Sequence, residues 1–198
     1  MIKYIAGLTA LCLWLFLLRV LDKSKLNFWR YLIGSAGAFI LMLVFLQPLV
    51  LEPLSRIVAL LASLPGKFAG IYSSHYKYGV IFVDTAIGAV SLKIDFECSG
   101  IIEIMAYASL LLFYRVYTVY ERICVGVIGV VALVLANALR ITVICLMIYF
   151  GGVDVYFIAH SIVGRIVFYA LSILLYFYVF TKPQIIKQRV GSFRYDNH

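Results

Sequence analysis

A thiol, a guanidinium and an imidazole stand out as side chains able to do chemistry together: Cys98, Arg140 and His160. A cysteine attacks a carbonyl carbon as its thiolate. A histidine within reach takes the thiol proton and returns it to the leaving amine. An arginine, charged at any workable pH, holds a substrate carbonyl or the oxyanion that forms from it. Together the three residue types describe acyl transfer through a thioester. Each also has an ordinary explanation: a structural cysteine, a solvated histidine at an interface, an arginine snorkelling from a helix end. Two details favour chemistry. Cys98 lies at a polar-to-apolar boundary, whereas Cys12, Cys124 and Cys145 lie inside apolar runs, where a reduced thiol behaves as a small hydrophobe. Arg140 is followed by the mostly apolar stretch Ile141 to Phe150, so it is no ordinary end residue.

The elements that must position these groups are membrane helices. The chain of 198 residues is 65% hydrophobic and only 13% charged, with mean hydropathy +1.05. A soluble domain is about half apolar and a quarter charged. The pattern predicts an all-α integral membrane protein, a single polytopic domain over 1–198. About five transmembrane helices are expected, at about 2–21, 31–51, 99–119, 122–150 and 161–181. Gln47-Pro48 is expected to end or kink the second. Residues 52–97 read as an extracytoplasmic insert before the third helix. It holds an interfacial amphipathic helix over Leu54 to Leu64, a polar turn region from Ser73 to Gly79, and a β-hairpin of Val80–Val83 with Val90–Phe96, the latter alternating apolar and polar residues.

The net charge of +8 does not indicate nucleic acid, because the cations sit between and after the apolar runs, where topology signals lie. Ten of them fall in 19–30, 115–122 and the C-terminal tail, against five at Lys3, Arg56, Lys67, Lys77 and Lys93. The cation-rich side is expected to be cytoplasmic, with the N-terminus out and the C-terminus in. Cys98 then opens the third helix at its outer end. Arg140 lies about 27 Å along the fourth helix from Arg122, close to the outer boundary of a hydrocarbon core about 30 Å thick. His160 opens the fifth helix, again outside. Three helices thus bring the three groups to one level. A thiol at a helix N-terminus is also biased towards thiolate by the free N–H groups and the macrodipole.

Several neighbours join this set. Asn137 shares a helical face with Arg140 and is expected to orient it or the backbone. Glu103 is expected to be a buried partner for Arg140 or Arg165. Arg165 and His75 are candidates for contact with substrate; Asp95 and Glu97 are open to a substrate-facing role too, though exposed strand acids are usually just solvated. No metal-ligand cluster and no cofactor motif is present. A different class of function also accommodates these residues: a non-catalytic membrane subunit of a transporter or envelope-biosynthesis complex, with Arg140 and Glu103 as a structural ion pair.

Glu97-Cys98-Ser99-Gly100-Ile101, Asn137-Ala138-Leu139-Arg140-Ile141 and a lone His160 before a Gly-containing apolar helix resemble the exosortase/archaeosortase family, over about residues 78–170. The chain is short for that family and resembles a minimal variant of the sort seen in Gram-positive bacteria. The resemblance implies a multi-pass cysteine transpeptidase or peptidase of the plasma membrane, with catalytic Cys98, Arg140 and His160 at the extracytoplasmic face and Ser99 beside the nucleophile. It implies no cofactor. The implied partners are secreted proteins bearing a C-terminal sorting signal, made of a short motif, a transmembrane helix and a basic cluster. The new carboxyl end passes to an envelope acceptor.

Overall fold

The computed structural model describes residues 2–85 and 88–186. The protein is mostly helical, with a small antiparallel sheet between its third and fourth helices. Helix α1 (Ile2–Lys23) turns back at Ser24-Lys25 into α2 (Asn27–Leu41). The two are stapled where the Trp14 indole donates to the Ile33 carbonyl at 3.0 Å, its ring lying over Gly37, where a Cβ would collide with it.

α2 does not end at Gln47-Pro48. A π turn over Met42–Leu46 carries it directly into α3 (Gln47–Ala69), a helical run of 42 residues from Asn27 to Phe68. This corrects the expectation of a span at 31–51 followed by a separate interfacial helix. Pro48 falls in the first turn of α3, and the widened π turn ahead of it absorbs both its missing N–H and the crowding of its ring. The run ends at Gly70, in the left-handed conformation at φ 67°.

Strands β1 (Tyr72–His75), β2 (Val80–Thr85) and β3 (Gly88–Lys93) form the sheet in the order β1-β2-β3. The hairpin expected from the sequence is β2–β3, with Phe82 opposite Ser91 and Val83 opposite Val90. The segment expected to be a turn contributes a third strand instead. Tyr72 explains why: its ring is buried and its hydroxyl donates to the Ala62 carbonyl of α3 at 2.5 Å, which ties β1 to that helix.

The last three helices are α4 (Ile101–Phe113), α5 (Val119–Gly151) and a continuous helical segment, α6 (Val153–Ile186). α4 is shorter than the expected 99–119. Arg122 donates to the Leu112 and Tyr114 carbonyls and so closes the end of α4 early. α5 starts before residue 122 because Thr118 and Glu121 form a capping box. Three segments, Asn27–Phe68, Val119–Gly151 and Val153–Ile186, are long and apolar enough to cross a membrane, while the 13-residue α4 rises only about 20 Å.

α5 is the central post, packed against α3, α4 and α6 and touching β2. Its inner face buries Leu133, Asn137, Ile141, Ile144 and Ile148. Its outer face leaves Val127, Val131, Leu135 and Leu139, one turn apart, about half exposed. A continuous apolar face turned outward is what lipid contact requires. The main core runs from these helices into the sheet through Val58, Ile81, Val83, Ile101, Ile144 and Ala159. The sheet and the Cys98 loop therefore rest on one packed body.

Candidate active site

Between β3 and α4 the chain makes a tight loop, residues 94–100, held by its own side chains. The Cys98 N–H donates to both the carbonyl and Oδ1 of Asp95, each at 3.2 Å. Ser99 Oγ donates to the Phe96 carbonyl at 3.1 Å and accepts from the Ile101 N–H at 3.3 Å, capping the start of α4. Gly100 stands at φ 76°, a conformation favouring glycine, and an added Cβ would press on Asn137 at 3.3 Å. From α5, Asn137 Nδ2 donates to the Cys98 carbonyl at 2.8 Å. Asn137 thus holds the Cys98 backbone, the second of the two arrangements the sequence left open for it.

The sulfur meets both expected partners. Cys98 Sγ lies 3.5 Å from His160 Nε2, and Arg140 Nη2 points at the same sulfur from 3.9 Å. Cys98 and Arg140 are each only 4% exposed. Arg140 comes from the inner face of α5, with its guanidinium carbon 5.8 Å from the centre of the Phe168 ring. Among the described residues it stands in no ion pair, and its Nε has no hydrogen-bond partner. A buried guanidinium without a carboxylate is expensive, and an anion placed beside it is correspondingly favoured.

His160 does not open the last helix. It lies in the second turn of α6, inside a π segment spanning Ala159–Val163. Such widened turns recur at functional sites, because one extra residue per turn re-aims a side chain. The ring stacks on Tyr156, centroids 5.6 Å apart and planes 19° apart. Its Nδ1 is buried without a hydrogen-bond partner. Among the described residues no carboxylate hydrogen-bonds this imidazole, and the Tyr156 ring packs against it.

Burial decides the protonation of Cys98. It pushes the Cys98 thiol up to about 11, with Arg140 pulling the other way and Asp95 and Glu97 adding to the rise. This overturns the expected thiolate bias. Cys98 precedes the first residue of α4 by three positions, and the Ile101 N–H is already taken by Ser99, so desolvation outweighs the helix terminus. At rest the pair is a neutral thiol facing an imidazole.

The remaining candidates divide. Arg165 Nη2 lies 3.9 Å from Glu97 Oε2, both about half-exposed or more, in an ion pair one residue from Cys98. Glu103 pairs with neither Arg140 nor Arg165. Its carbonyl accepts from the Tyr176 hydroxyl at 3.3 Å, and its carboxylate stands in no ion pair among the described residues. Helical spacing placed it at the right height but on a face turned towards α6. His75 sits exposed on β1, edge-on to Phe82, with no contact to the three groups. Sequence reasoning missed Tyr156 and Phe168. Tyr156, one turn before His160, carried a signal in its spacing; Phe168 carried none.

A helical body with a lipid-facing apolar side, and a thiol, an imidazole and a guanidinium converging on one buried loop, defines a membrane protein with a side-chain cluster at Cys98. Comparison with known families agrees in kind. The family model described as transmembrane exosortase matches residues 1–178, and the chain belongs to that family. Comparison with curated proteins and with solved structures gave no match.

Proposed function

We propose that this protein is a membrane cysteine transpeptidase or peptidase that cleaves a C-terminal sorting signal from secreted proteins and passes the new carboxyl end to an envelope acceptor. The observation that carries the reading is the sulfur of Cys98 held between His160 Nε2 at 3.5 Å and the unpaired guanidinium of Arg140 at 3.9 Å. Because the thiol is neutral at rest, attack and proton transfer are coupled. His160 Nε2 takes the proton as Sγ bonds to the substrate carbonyl carbon. The carbonyl oxygen gains the negative charge, which Arg140 stabilises as it would any anion in that site. Collapse breaks the C–N bond, His160 returns its proton to the leaving amine, and a thioester on Cys98 remains. The acceptor, an amine, hydroxyl or water, then loses its proton to His160 as it attacks, and the thiol is restored.

Under this reading Cys98, Arg140 and His160 are catalytic, Asn137 and Ser99 position the nucleophile, and the Arg165–Glu97 pair contacts substrate. The chain crosses the bilayer five times, with α1 and the short α4 completing the three long segments. The N-terminus is outside, the C-terminus inside, and residues 52–97 with the site are extracytoplasmic, as the distribution of cations supports. The non-catalytic alternative rested on an Arg140–Glu103 pair, and Glu103 makes no such pair.

The test is co-expression with a substrate carrying a C-terminal sorting signal, read as a gel shift, with membrane levels of each variant checked. Cys98→Ala abolishes processing with insertion intact, and Cys98→Ser is nearly as damaging, a hydroxyl being far harder to deprotonate than a thiol. Full processing by Cys98→Ala overturns the mechanism.

A further inference from the structure

At the end of the bundle opposite Cys98 the helices part around a cavity of about 890 Å³, lined by the start of α2, the end of α4 and the end of α6. Three arginines face it: Arg30, Arg115 and Arg122. Their partners are few. Arg30 Nη1 and Arg115 Nη2 share a single carboxylate oxygen, Asp22 Oδ1, at 2.6 and 2.8 Å. Arg115 also donates to Asn27 Oδ1 at 2.8 Å. Among the described residues Arg122 donates to backbone carbonyls, and its Nε is buried without a partner. Among the described residues lining the cleft and their ion-pair partners, three guanidinium charges face one carboxylate, which leaves two positive charges. The carbonyl end of α4 is already occupied by Arg122.

Beside the arginines the cleft is apolar and open. Phe28 is 69% exposed, Leu112 50% and Ile185 43%. Guanidinium groups next to exposed apolar side chains, at the end of a helix bundle of bilayer height, match an amphiphile with an anionic head. A free anion needs no apolar wall, and a neutral lipid needs no uncompensated arginines.

We infer that this cleft is a binding site for an anionic phospholipid, its phosphate held between Arg30, Arg115 and Arg122 and an acyl chain lying along Phe28, Leu112 and Ile185. The site is separate from the Cys98 centre. Arg122 and Cys98 stand at opposite ends of α4, about 20 Å apart by helix rise. Two net cations beside a headgroup give about fivefold each, so about thirtyfold preference for an anionic over a zwitterionic lipid.

Trp29, half-exposed beside Phe28 at a centroid distance of 5.9 Å, supplies the probe. The full chain is reconstituted in nanodiscs, and quenching of its tryptophan emission is compared for brominated phosphatidylglycerol and brominated phosphatidylcholine. Wild type should prefer phosphatidylglycerol by about thirtyfold. In Arg30→Gln/Arg115→Gln the preference should fall to near unity, and in Arg30→Lys/Arg115→Lys it should largely survive. Equal quenching of wild type by the two lipids overturns the site without reference to any variant. Retained preference in a folded double glutamine variant, checked by circular dichroism, overturns the assigned residues. Displacement of the brominated lipid by about 1 mM inorganic phosphate, too dilute to screen charge appreciably, makes this a free-anion site and overturns the lipid assignment.

Discussion

Arg140→Gln should make Cys98 less reactive, although it removes a bulky neighbour from the sulfur. Burial has already lifted the thiol to about 11, so at pH 8 about one molecule in a thousand carries the thiolate. The guanidinium 3.9 Å away opposes that rise, because a cation favours the charged form of the thiol. Removing it raises the pKa further and lowers the thiolate fraction at every pH below it. A charge pair at this separation is worth about 4 kcal/mol at an effective dielectric of about 20, which sets a ceiling near a thousandfold. One pKa unit is tenfold, so alkylation at fixed pH should slow by at least about ten times. The assay is the rate of Cys98 modification between pH 7 and 9.5, followed by mass spectrometry of its peptide, with iodoacetamide and with a larger maleimide. A change in pKa slows both reagents by the same factor, whereas a change in access separates them. In wild type the logarithm of the rate should climb one unit per pH unit across the whole range. A plateau below pH 9 would mean that the thiolate already exists at rest. Equal or faster alkylation of Arg140→Gln by both reagents would refute the electrostatic role given to this arginine.

Tyr156→Phe should keep substrate processing near wild type and Tyr156→Leu should lower it at least about tenfold, the scale of one misplaced general base; equal activity of the two would show that the stacked ring does not hold His160. Glu103→Gln should leave the folded yield from detergent extracts unchanged, since no cation loses a partner; a loss on the scale of a broken buried pair, about 3–5 kcal/mol, would return Glu103 to an ion pair.

The level of the three groups was legible in the sequence because helix rise is nearly constant: counting from Arg122 to Arg140 places the guanidinium, and the ends of the neighbouring apolar runs place Cys98 and His160. The β2–β3 hairpin was legible for a similar reason, a period of two with Gly88 at the turn. What failed depended on contacts made in space. Glu103 and Arg140 have compatible heights, but azimuth on the helix decides pairing, and α6 rather than α5 takes that face of α4. Tyr72–His75 shows no alternation, and only the Tyr72 hydroxyl on α3 reveals that the segment belongs to the sheet. Pro48 signals a break in the chain's text, yet a π turn lets the helix pass it. The thiolate expectation failed on magnitude, since the sequence shows a helix terminus nearby and does not show how deeply the sulfur is buried.

The outward apolar face of α5, with Val127, Val131, Leu135 and Leu139 one above another, bears on how any encounter with this protein takes place. A body dressed this way does not tumble in bulk solution; it drifts within a layer about 30 Å thick. A molecule sharing that layer searches for it over a plane instead of a volume, already aligned with the bundle axis, so much of the orientation that two soluble proteins must find by rotation is supplied in advance. Surface density, rather than molar concentration, is then the variable that sets how often the two meet.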